Sequence, residues 1–215
     1  MIIDCISDLH GFYPKLEGGD LLIVAGDLTR SDEEGQYLAF FSWLKRQKYR
    51  KIVVVAGNHD VMLDEGVPYP LFLRIEESCS YLLDSGTEFE GLKIWGSPYT
   101  LAFEGENPDC LAFTCETEEE LNEHWKSIPD DTDILVTHSP PYGVLDDVAM
   151  GSIIVRVGSK SLEMKVRTLP NLKLHVFGHV HESYGISREL GTDYVNASHV
   201  DGNYRPVNHP IQVEL

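Results

Sequence analysis

Short apolar runs rich in Val and Ile recur along the chain and are separated by longer polar or amphipathic segments. Such runs are typical of β-strands that are buried on both faces. Because helical patterns lie between them, the alternation predicts an α/β fold with stacked sheets. Two later runs, at residues 194–197 and 211–215, indicate additional strands. The main runs lie at residues 2–6, 21–25, 52–56, 134–136 and 172–177.

Helix candidates occupy three of the intervening segments. Ser31 with Glu34, and Thr117 with Glu120, have the spacing of a capping box at a helix N-terminus. A third helix is predicted over residues 159–169. Apolar residues at helical spacing follow the two capping boxes: Tyr37, Phe41 and Leu44 after the first, and Leu121, Trp125 and Ile128 after the second.

Polar side chains follow each of the five main runs. In open α/β sheets, ligands bind beyond the carboxyl ends of the strands, where the loops bring such side chains together. The turn at residues 57–60 places an amide oxygen beside an imidazole, and imidazoles two residues apart project from the same side of an extended segment. In order along the chain, the polar groups are Asp8 and His10, Asp27, Asn58 with His59 and Asp60, His138, and His179 with His181.

Composition narrows the class of protein. With 215 residues, of which 42% are hydrophobic, the chain predicts one domain over residues 1–215. Seventeen Lys and Arg residues against 35 Asp and Glu residues give a formal charge of -18, which disfavours long nucleic acid as a partner. The larger part of this acidic excess is interpreted as a charged, solubilising surface.

The cellular location is interpreted from what the chain does not contain. The four cysteines form no C-x-x-C pair, so reduced structural thiols are expected. The first residues lack the basic region of a signal peptide, and no apolar stretch approaches the roughly 18 residues that suggest a membrane span. A cytoplasmic protein without membrane association is therefore predicted, whereas the oligomeric state is not.

The series D-x-H, G-D, G-N-H-D, T-H-S-P-P and G-H-x-H, within residues 4–181, resembles the calcineurin-like metallophosphoesterase superfamily. Residues 137–143, 173–185 and 194–198 are further similar to metallophosphoesterase-domain-containing proteins related to class III cyclic nucleotide phosphodiesterases. The resemblance implies a four-layer αββα sandwich of two mixed sheets flanked by helices.

The resemblance also implies two metal ions with a shared ligand. One ion would be held by Asp8, His10, Asp27 and His181, and the other by Asp27, Asn58, His138 and His179, so that Asp27 bridges them. Mixed imidazole and oxygen ligands suit Mn, Fe, Zn, Co or Ni better than Mg or Ca, and Mn is favoured in vitro. Two such ions about 3.5–4 Å apart would activate a bridging hydroxide as the nucleophile.

Three further residues receive candidate roles beside the metals. His59, which has no metal in this assignment, is expected to stabilise the transition state and to donate a proton to the leaving oxygen. Asp60 is a candidate to orient it. Arg156 is a candidate phosphate contact, with a plain surface position as the alternative. Asn58 and His59 would also contact substrate.

Other polar features have less specific interpretations. Asp146 and Asp147 are expected to be solvated loop carboxylates. The histidines outside the motifs are expected to have surface or packing roles. Residues 99–114 form either a rim over the site or an exposed loop.

These features predict an enzyme that hydrolyses phosphoester bonds of small molecules, with diesters such as cyclic nucleotides favoured. A phosphomonoesterase is the alternative. A nuclease is less favoured because no basic stripe is evident, and a metal-binding scaffold without activity would be expected to have lost ligands.

Overall fold

The computed structural model describes residues 1–102 and 110–215. Within these ranges the chain forms fifteen β-strands, five α-helices and one short 3₁₀ helix, His181–Ser183. The strands are β1 Ile2–Ile6, β2 Gly19–Ala25, β3 Tyr49–Val55, β4 Ser80–Tyr81, β5 Ser85–Phe89, β6 Leu92–Ser97, β7 Thr100–Leu101, β8 Thr114–Cys115, β9 Ile134–Thr137, β10 Asp147–Met150, β11 Ile153–Arg156, β12 Leu174–Phe177, β13 Gly185–Glu189, β14 Thr192–Asn196 and β15 Ile211–Glu214. The helices are α1 Glu34–Leu44, α2 Val61–Glu65, α3 Tyr69–Ser78, α4 Glu118–Trp125 and α5 Lys160–Val166.

Two large mixed sheets dominate the described part of the chain. The first has the strand order β15-β1-β2-β3-β4, and the second has the order β13-β14-β12-β9-β6-β5. In the first, β1, β2 and β3 are mutually parallel, and β15 runs antiparallel to β1. In the second, β6, β9, β12 and β14 are parallel, with antiparallel partners at both edges. The carboxyl ends of the parallel strands in each sheet therefore share one edge.

The inner faces of the two sheets pack against each other. Alternate residues of each central strand enter this shared core, as with Leu21 and Ile23 on β2 and Ile134 and Val136 on β9. All four are fully buried. Burying one such side chain typically stabilises a fold by about 1.5–3 kcal/mol relative to exposure. The sheet-on-sheet contact thus forms the central layers of the protein.

Helices cover the two outer faces. Leu22 and Val24 of β2 point away from the shared core and pack in one cluster with Phe41 of α1 and Ile75 of α3. On the other side, α4 and α5 pack on the outer face of the second sheet in a cluster that contains Leu121, Leu135 and Leu162. The order helix, sheet, sheet, helix confirms the predicted four-layer sandwich, and it explains why the strand runs are apolar at nearly every position.

The helix N-termini follow the predictions in two of three cases. Thr117 and Ser159 cap α4 and α5, because their hydroxyls accept hydrogen bonds from the amides three residues on. The predicted capping box at Ser31 is wrong. Helix α1 has Glu33 at its N-cap position with no side-chain cap, since the Ser31 amide is bound instead by the Gln36 side chain at 3.0 Å.

The region expected to form a rim or an exposed loop begins and ends in short strands, β7 and β8, which pair in parallel. Residues 103–109 of that region lie outside the described residues. Beyond it, β10 and β11 form an antiparallel hairpin, with Asp147 opposite Arg156.

Candidate metal centre

The predicted polar residues lie on loops that directly follow parallel strands. Asp8 and His10 follow β1, Asp27 follows β2, and Asn58 follows β3. From the second sheet, His138 follows β9, while His179 and His181 follow β12. The two sheets meet here, because Ser7 and Ser198 form a β-bridge between the ends of β1 and β14. Stacked parallel strands thus bring the seven side chains to one edge of the sandwich.

The backbone at this edge is held in an unusual conformation. Asp8, His10, Asp27 and His179 have positive φ angles of 50°, 42°, 54° and 68°. Non-glycine residues rarely adopt this region, and each costs on the order of 1–3 kcal/mol. The surrounding fold must therefore hold these loops in place, which is typical of functional sites.

Three motif glycines leave the space that the polar groups occupy. A Cβ at Gly26 would lie 2.2 Å from His138 Nδ1, and one at Gly57 would lie 2.3 Å from Asp27 Oδ1. A Cβ at Gly178 would lie 2.0 Å from Asp8 Oδ2. Since no side chain fits at such distances, the glycines in G-D, G-N-H-D and G-H-x-H allow close packing of the cluster.

One set of potential metal ligands consists of Asp8, His10, Asp27 and His181. Their ligand atoms all lie within 4.8 Å of one another. His181 Nε2 is 3.2 Å from Asp8 Oδ1 and 3.4 Å from His10 Nε2. His10 Nε2 lies 3.5 Å from Asp27 Oδ2. Two carboxylates and two imidazoles therefore converge on one small space.

A second set of ligand atoms lies on the other side of Asp27. His138 Nε2 is 3.1 Å from Asn58 Oδ1 and 3.4 Å from Asp27 Oδ1. His179 Nδ1 is 3.0 Å from the same Asn58 oxygen. Thus Oδ1 of Asp27 faces this set, whereas its Oδ2 faces His10 of the first set.

Hydrogen bonds from neighbouring groups orient these side chains. His138 Nδ1 donates to the Ala25 carbonyl at 2.8 Å, which leaves Nε2 free to act as a ligand. The Ser198 hydroxyl donates to Asp8 Oδ2 at 2.8 Å, and the His179 amide also donates to Asp8. Such partners fix ring orientation and tautomer in metal sites.

The carboxylates of the cluster are held in the ionised form. Burial opposes ionisation, but the hydrogen bond and charge of His181 and the charge of His138 hold the pKa of Asp8 below its usual range. Burial likewise opposes ionisation of Asp27, whose pKa the charges of His138 and His59 hold well below its usual range. The cluster therefore presents buried negative charge.

The imidazoles divide into two groups. Burial lowers the pKa of His10 to about 4 and that of His179 to about 3, so both are neutral and offer lone pairs at neutral pH. Burial also opposes the charged form of His138, yet the Asp27 carboxylate outweighs it and raises the pKa to about 9. At His181 the hydrogen bond and charge of Asp8 outweigh burial and raise the pKa.

This donor set fits metal ions. A proton on His138 or His181 offsets the buried carboxylates, and a divalent cation would offset the same charge while using the same nitrogen atoms as ligands. Imidazole, carboxylate and amide donors together favour transition metals. The cluster of Asp and His residues is therefore a candidate divalent metal centre.

His59 lies beside the cluster. Its Nε2 is 3.9 Å from Asp27 Oδ2, and its backbone amide donates to Asp27 Oδ1 at 3.0 Å. Its ring meets that of His10 edge-on at 4.8 Å between centroids. His59 therefore stands next to the predicted reaction centre.

The hydrogen bonds of Asp60 in the described part of the chain go to groups other than the His59 ring, so its predicted orienting role stays a prediction. Its fully buried carboxylate accepts hydrogen bonds from the amides of Gly57 at 2.8 Å and Leu28 at 3.1 Å. It also lies 3.3 Å from the Tyr37 hydroxyl. Burial and the charge of Asp27 raise its pKa to about 8, whereas the amides lower it. Asp60 thus ties the turn after β3 to the loop after β2, which carries Asp27.

Arg156 lies in a different place from the cluster. It borders a second cavity, of about 320 Å³, together with Tyr142 and Arg167, and its side chain faces Asp147 across the β10–β11 hairpin, with Nε 3.5 Å from Oδ1. Asp146 also differs from expectation. It is buried, because its Oδ2 accepts hydrogen bonds from the amides of Gly143 and Gly158.

A larger cavity opens directly beside the cluster. It measures about 630 Å³ and shares His10 and His59 with the site. Tyr204, from the loop after β14, stacks edge-on against His10 at 4.8 Å between ring centroids. No motif or apolar run in the sequence marks Tyr204. The other residues that border the cavity are Phe12, Arg30, Ser31, Asp32 and Cys110.

The four-layer sandwich, with Asp and His residues clustered where its two sheets meet, is the arrangement of a metallophosphoesterase. The calcineurin-like phosphoesterase family matches residues 1–183, and the chain belongs to this family. Membership implies a hydrolase of phosphoesters, which confirms the predicted family and class of enzyme. None of the helices in the described part of the chain is long and apolar enough to cross a membrane.

Individual relatives agree with this assignment. Metallophosphoesterase domain-containing protein 1 of Homo sapiens is 36% identical over 234 residues, covering 98% of this chain and 70% of that protein. A UPF0046 protein of Caenorhabditis elegans is 29% identical over 229 residues, covering 98% and 79%. Among solved structures, phosphopantetheinyl hydrolase from Mycobacterium tuberculosis has a TM-score of 0.57 at 18% identity, covering 91% of this chain and 88% of that one, and supports the fold.

Proposed function

We propose that the protein hydrolyses small-molecule phosphodiesters in preference to monoesters, with two transition-metal ions held by the seven clustered side chains. The observation that carries the proposal is the position of Asp27. Its two carboxylate oxygens face different ligand sets, since Oδ2 lies 3.5 Å from His10 and Oδ1 lies 3.4 Å from His138. This is the arrangement expected of a bridging ligand.

When bound there, two such ions would supply Lewis acidity, which would lower the pKa of water and offset charge on the phosphoryl oxygens. The protein's own residues provide position and a proton. Asp8 and Asp27 keep the site anionic, and neutral His10 and His179 keep lone pairs available at neutral pH. His59 is the proposed donor to the leaving oxygen, because its ring borders the cavity and is not among the seven ligands.

The cavity beside the cluster supports a small substrate. Its volume of about 630 Å³ is in the range of small-molecule sites, which is about 300–1,000 Å³. Phe12 and Tyr204 offer aromatic surface there, and Arg30 offers a cation. A chain with a formal charge of -18 does not favour a long polyanion.

The preference for diesters is supported by the resemblance of residues 137–143 and 173–198 to phosphodiesterases and by charge. A diester carries one negative charge and a monoester nearly two at neutral pH, so an acidic protein repels the diester less. Steady-state kinetics on matched diester and monoester pairs, with Mn at fixed pH and ionic strength, test this. A tenfold or larger monoester preference in kcat/KM, about 1.4 kcal/mol, would instead identify a phosphomonoesterase.

Metal content tests the two-ion site separately from the substrate. Elemental analysis after saturation with Mn, Fe or Zn should approach two ions per chain, and chelation should abolish turnover. At most one ion with every metal would refute the bridged site. Two bound ions without turnover of any ester would identify a metal-binding scaffold.

A cytoplasmic location is also proposed. Cys5, Cys79 and Cys115 are free thiols, which fits a reducing compartment. Fractionation of cells that express the protein would test this, and recovery in a secreted or membrane fraction would contradict it.

A further inference from the structure

The His59 ring has a different neighbour on each of its two nitrogen atoms. Nε2 faces the cluster, 3.9 Å from Asp27 Oδ2. Nδ1 points away from it and lies 3.2 Å from the thiol sulfur of Cys110. The thiol is nearly buried, with 7% of the residue exposed. The contact therefore lies in a shielded position behind the ring.

Cys110 also contacts the residue before His59. The Asn58 side-chain amide donates to the Cys110 carbonyl at 3.0 Å, which turns Asn58 Oδ1 toward His138 and His179. Two residues further on, the Ala112 amide donates to the Asn58 carbonyl at 3.1 Å. The segment that begins at Cys110 thus fits against the whole Asn58-His59 turn.

The chemistry of the thiol determines which tautomer of His59 this contact favours. A neutral imidazole carries its proton on one nitrogen, and the partner of the other nitrogen selects which. A thiol is a donor that can point its hydrogen at an unprotonated Nδ1. The proton of the ring then resides on Nε2, the atom that faces the cluster.

We propose that Cys110 is a positioning residue that holds His59 in the Nε2–H tautomer, with its N–H directed at the reaction centre. The inference rests on the proposed function, in which His59 donates a proton to the leaving oxygen. A carboxylate in the same place would instead accept a hydrogen bond from Nδ1–H, which would leave Nε2 of a singly protonated ring without a hydrogen. The thiol leaves the ring hydrogen on Nε2. As that hydrogen passes to the leaving oxygen, Nδ1 takes up the thiol hydrogen, so the ring does not become an imidazolate and the negative charge ends on the Cys110 sulfur.

The first test measures the tautomer directly. In Zn-loaded protein, which is diamagnetic, the ¹⁵N shifts of the His59 ring should show a protonated Nε2 and an unprotonated Nδ1. Cys110→Ala should shift the population toward Nδ1–H, and Cys110→Ser, which retains a donor, should restore Nε2–H. A ring with Nδ1 protonated in the unmodified protein would overturn the proposal.

The second test is a double-mutant cycle between Cys110→Ala and His59→Ala. With an alkyl diester, whose alkoxide needs a proton, Cys110→Ala should lower kcat by about tenfold, which is part of the roughly 10²–10⁴-fold that general-acid assistance contributes. KM and metal content should stay unchanged, and p-nitrophenyl esters should be affected less. In the His59→Ala background, Cys110→Ala should cause no further loss. Cys115→Ala is the control, because Cys115 is also nearly buried but packs in the cluster around α4.

The outcomes separate this inference from the proposed function. If His59→Ala lowers kcat, and the double variant loses the product of the two single losses, Cys110 acts independently of His59 and the inference is wrong. A loss of metal from Cys110→Ala or Cys110→Ser would show an effect through Asn58 and would also overturn it. If His59→Ala loses no activity on alkyl diesters, the proton-donor role fails, and the role of Cys110 fails with it.

Discussion

The two sheets contribute different chemistry to the candidate centre. Loops of the first sheet carry both carboxylates and the amide, through Asp8, Asp27 and Asn58, whereas loops of the second sheet carry only imidazoles. Neither ligand set is complete within one sheet. The first set needs His181 from the second sheet, and the second set needs Asp27 and Asn58 from the first. The centre is therefore a product of sheet packing, and metal binding should report on the contact between the sheets.

The largest effect is expected at the residue that both sets share. Asp27→Asn removes a charge that serves both ligand sets. Turnover should therefore fall by more than the 10–100-fold that is typical of losing a hydrogen-bond partner of a metal ligand. His10→Ala opens one set only and should cost less. Rates are compared at equal metal occupancy. Equal losses, or a larger loss from His10→Ala, would contradict the bridging position of Asp27.

A steric change should come next. In Gly57→Ala, the new Cβ would lie 2.3 Å from Asp27 Oδ1 and 2.7 Å from His138 Cε1, so it separates first-sheet and second-sheet ligands. Metal affinity should fall by at least about tenfold, as for other disturbed ligands. Gly35→Ala in α1 is the control, since its Cβ meets nothing within 4 Å. Affinity is measured by competition with a chelating dye. Unchanged affinity in Gly57→Ala would show that the loops can shift to accommodate the new methyl group without disturbing the ligands.

A smaller effect is expected from a hydrogen bond that crosses the sheets. Ser198, which follows β14, donates to Asp8 Oδ2 at 2.8 Å. Ser198→Ala should weaken metal binding by about tenfold, which is the lower end of the range for residues that hydrogen-bond to a metal ligand. Ser42→Ala, at an exposed position of α1, is the control. If calorimetric titration with Mn gives the same affinity for both variants, the hydroxyl does not orient Asp8.

The smallest effect on activity is expected at a buried imidazole away from the centre, where a substitution should change stability and leave turnover unchanged. Burial lowers the pKa of His175 from 6.5 to about 3. Neutral His175 therefore contributes its full stability above pH 6.5, and this is lost as the pH falls toward 3. In that window the unfolded chain binds one more proton than the folded chain. The free energy of unfolding therefore falls by up to about 1.4 kcal/mol for each pH unit that the pH is lowered.

His175→Phe should flatten that slope without changing turnover. Phe suits the site because Phe177 and Tyr194 already surround the ring, at 5.0 and 5.9 Å between centroids. Urea unfolding of the metal-free protein between pH 4 and 7 measures the free energy, with His209→Phe as the exposed control. An equal slope in His175→Phe and the unmodified protein would contradict the burial effect.

The ligand loops could be predicted from the sequence because each follows an apolar run. The sequence does not predict contacts between side chains and groups that lie far away in the chain. Proximity in sequence assigns Asp60 to its neighbour His59, yet the turn directs its carboxylate at the Leu28 amide, 32 positions away. Cys110 and Tyr204 reach the cavity from distant loops, and neither lies in a motif.

Arg156 shows that the sequence alone does not predict which cationic side chain borders the site. Its chemistry suits phosphate, but its position depends on the β10–β11 hairpin, which the apolar pattern does not predict. Arg30 borders the cavity instead. Residue type indicates what a side chain can bind, whereas only the fold determines what it reaches.

The pairing of β15 with β1 has a consequence for synthesis on the ribosome. β1 leads into Asp8 and His10, yet its edge partner begins at residue 211, about 200 residues later. At about 5–20 residues per second, the edge of the first sheet stays open for roughly 10–40 s after β1 is made. An open edge can pair with other nascent chains. Slow translation between the two strands should therefore lower the yield of folded protein, even though no codon of the metal site is changed.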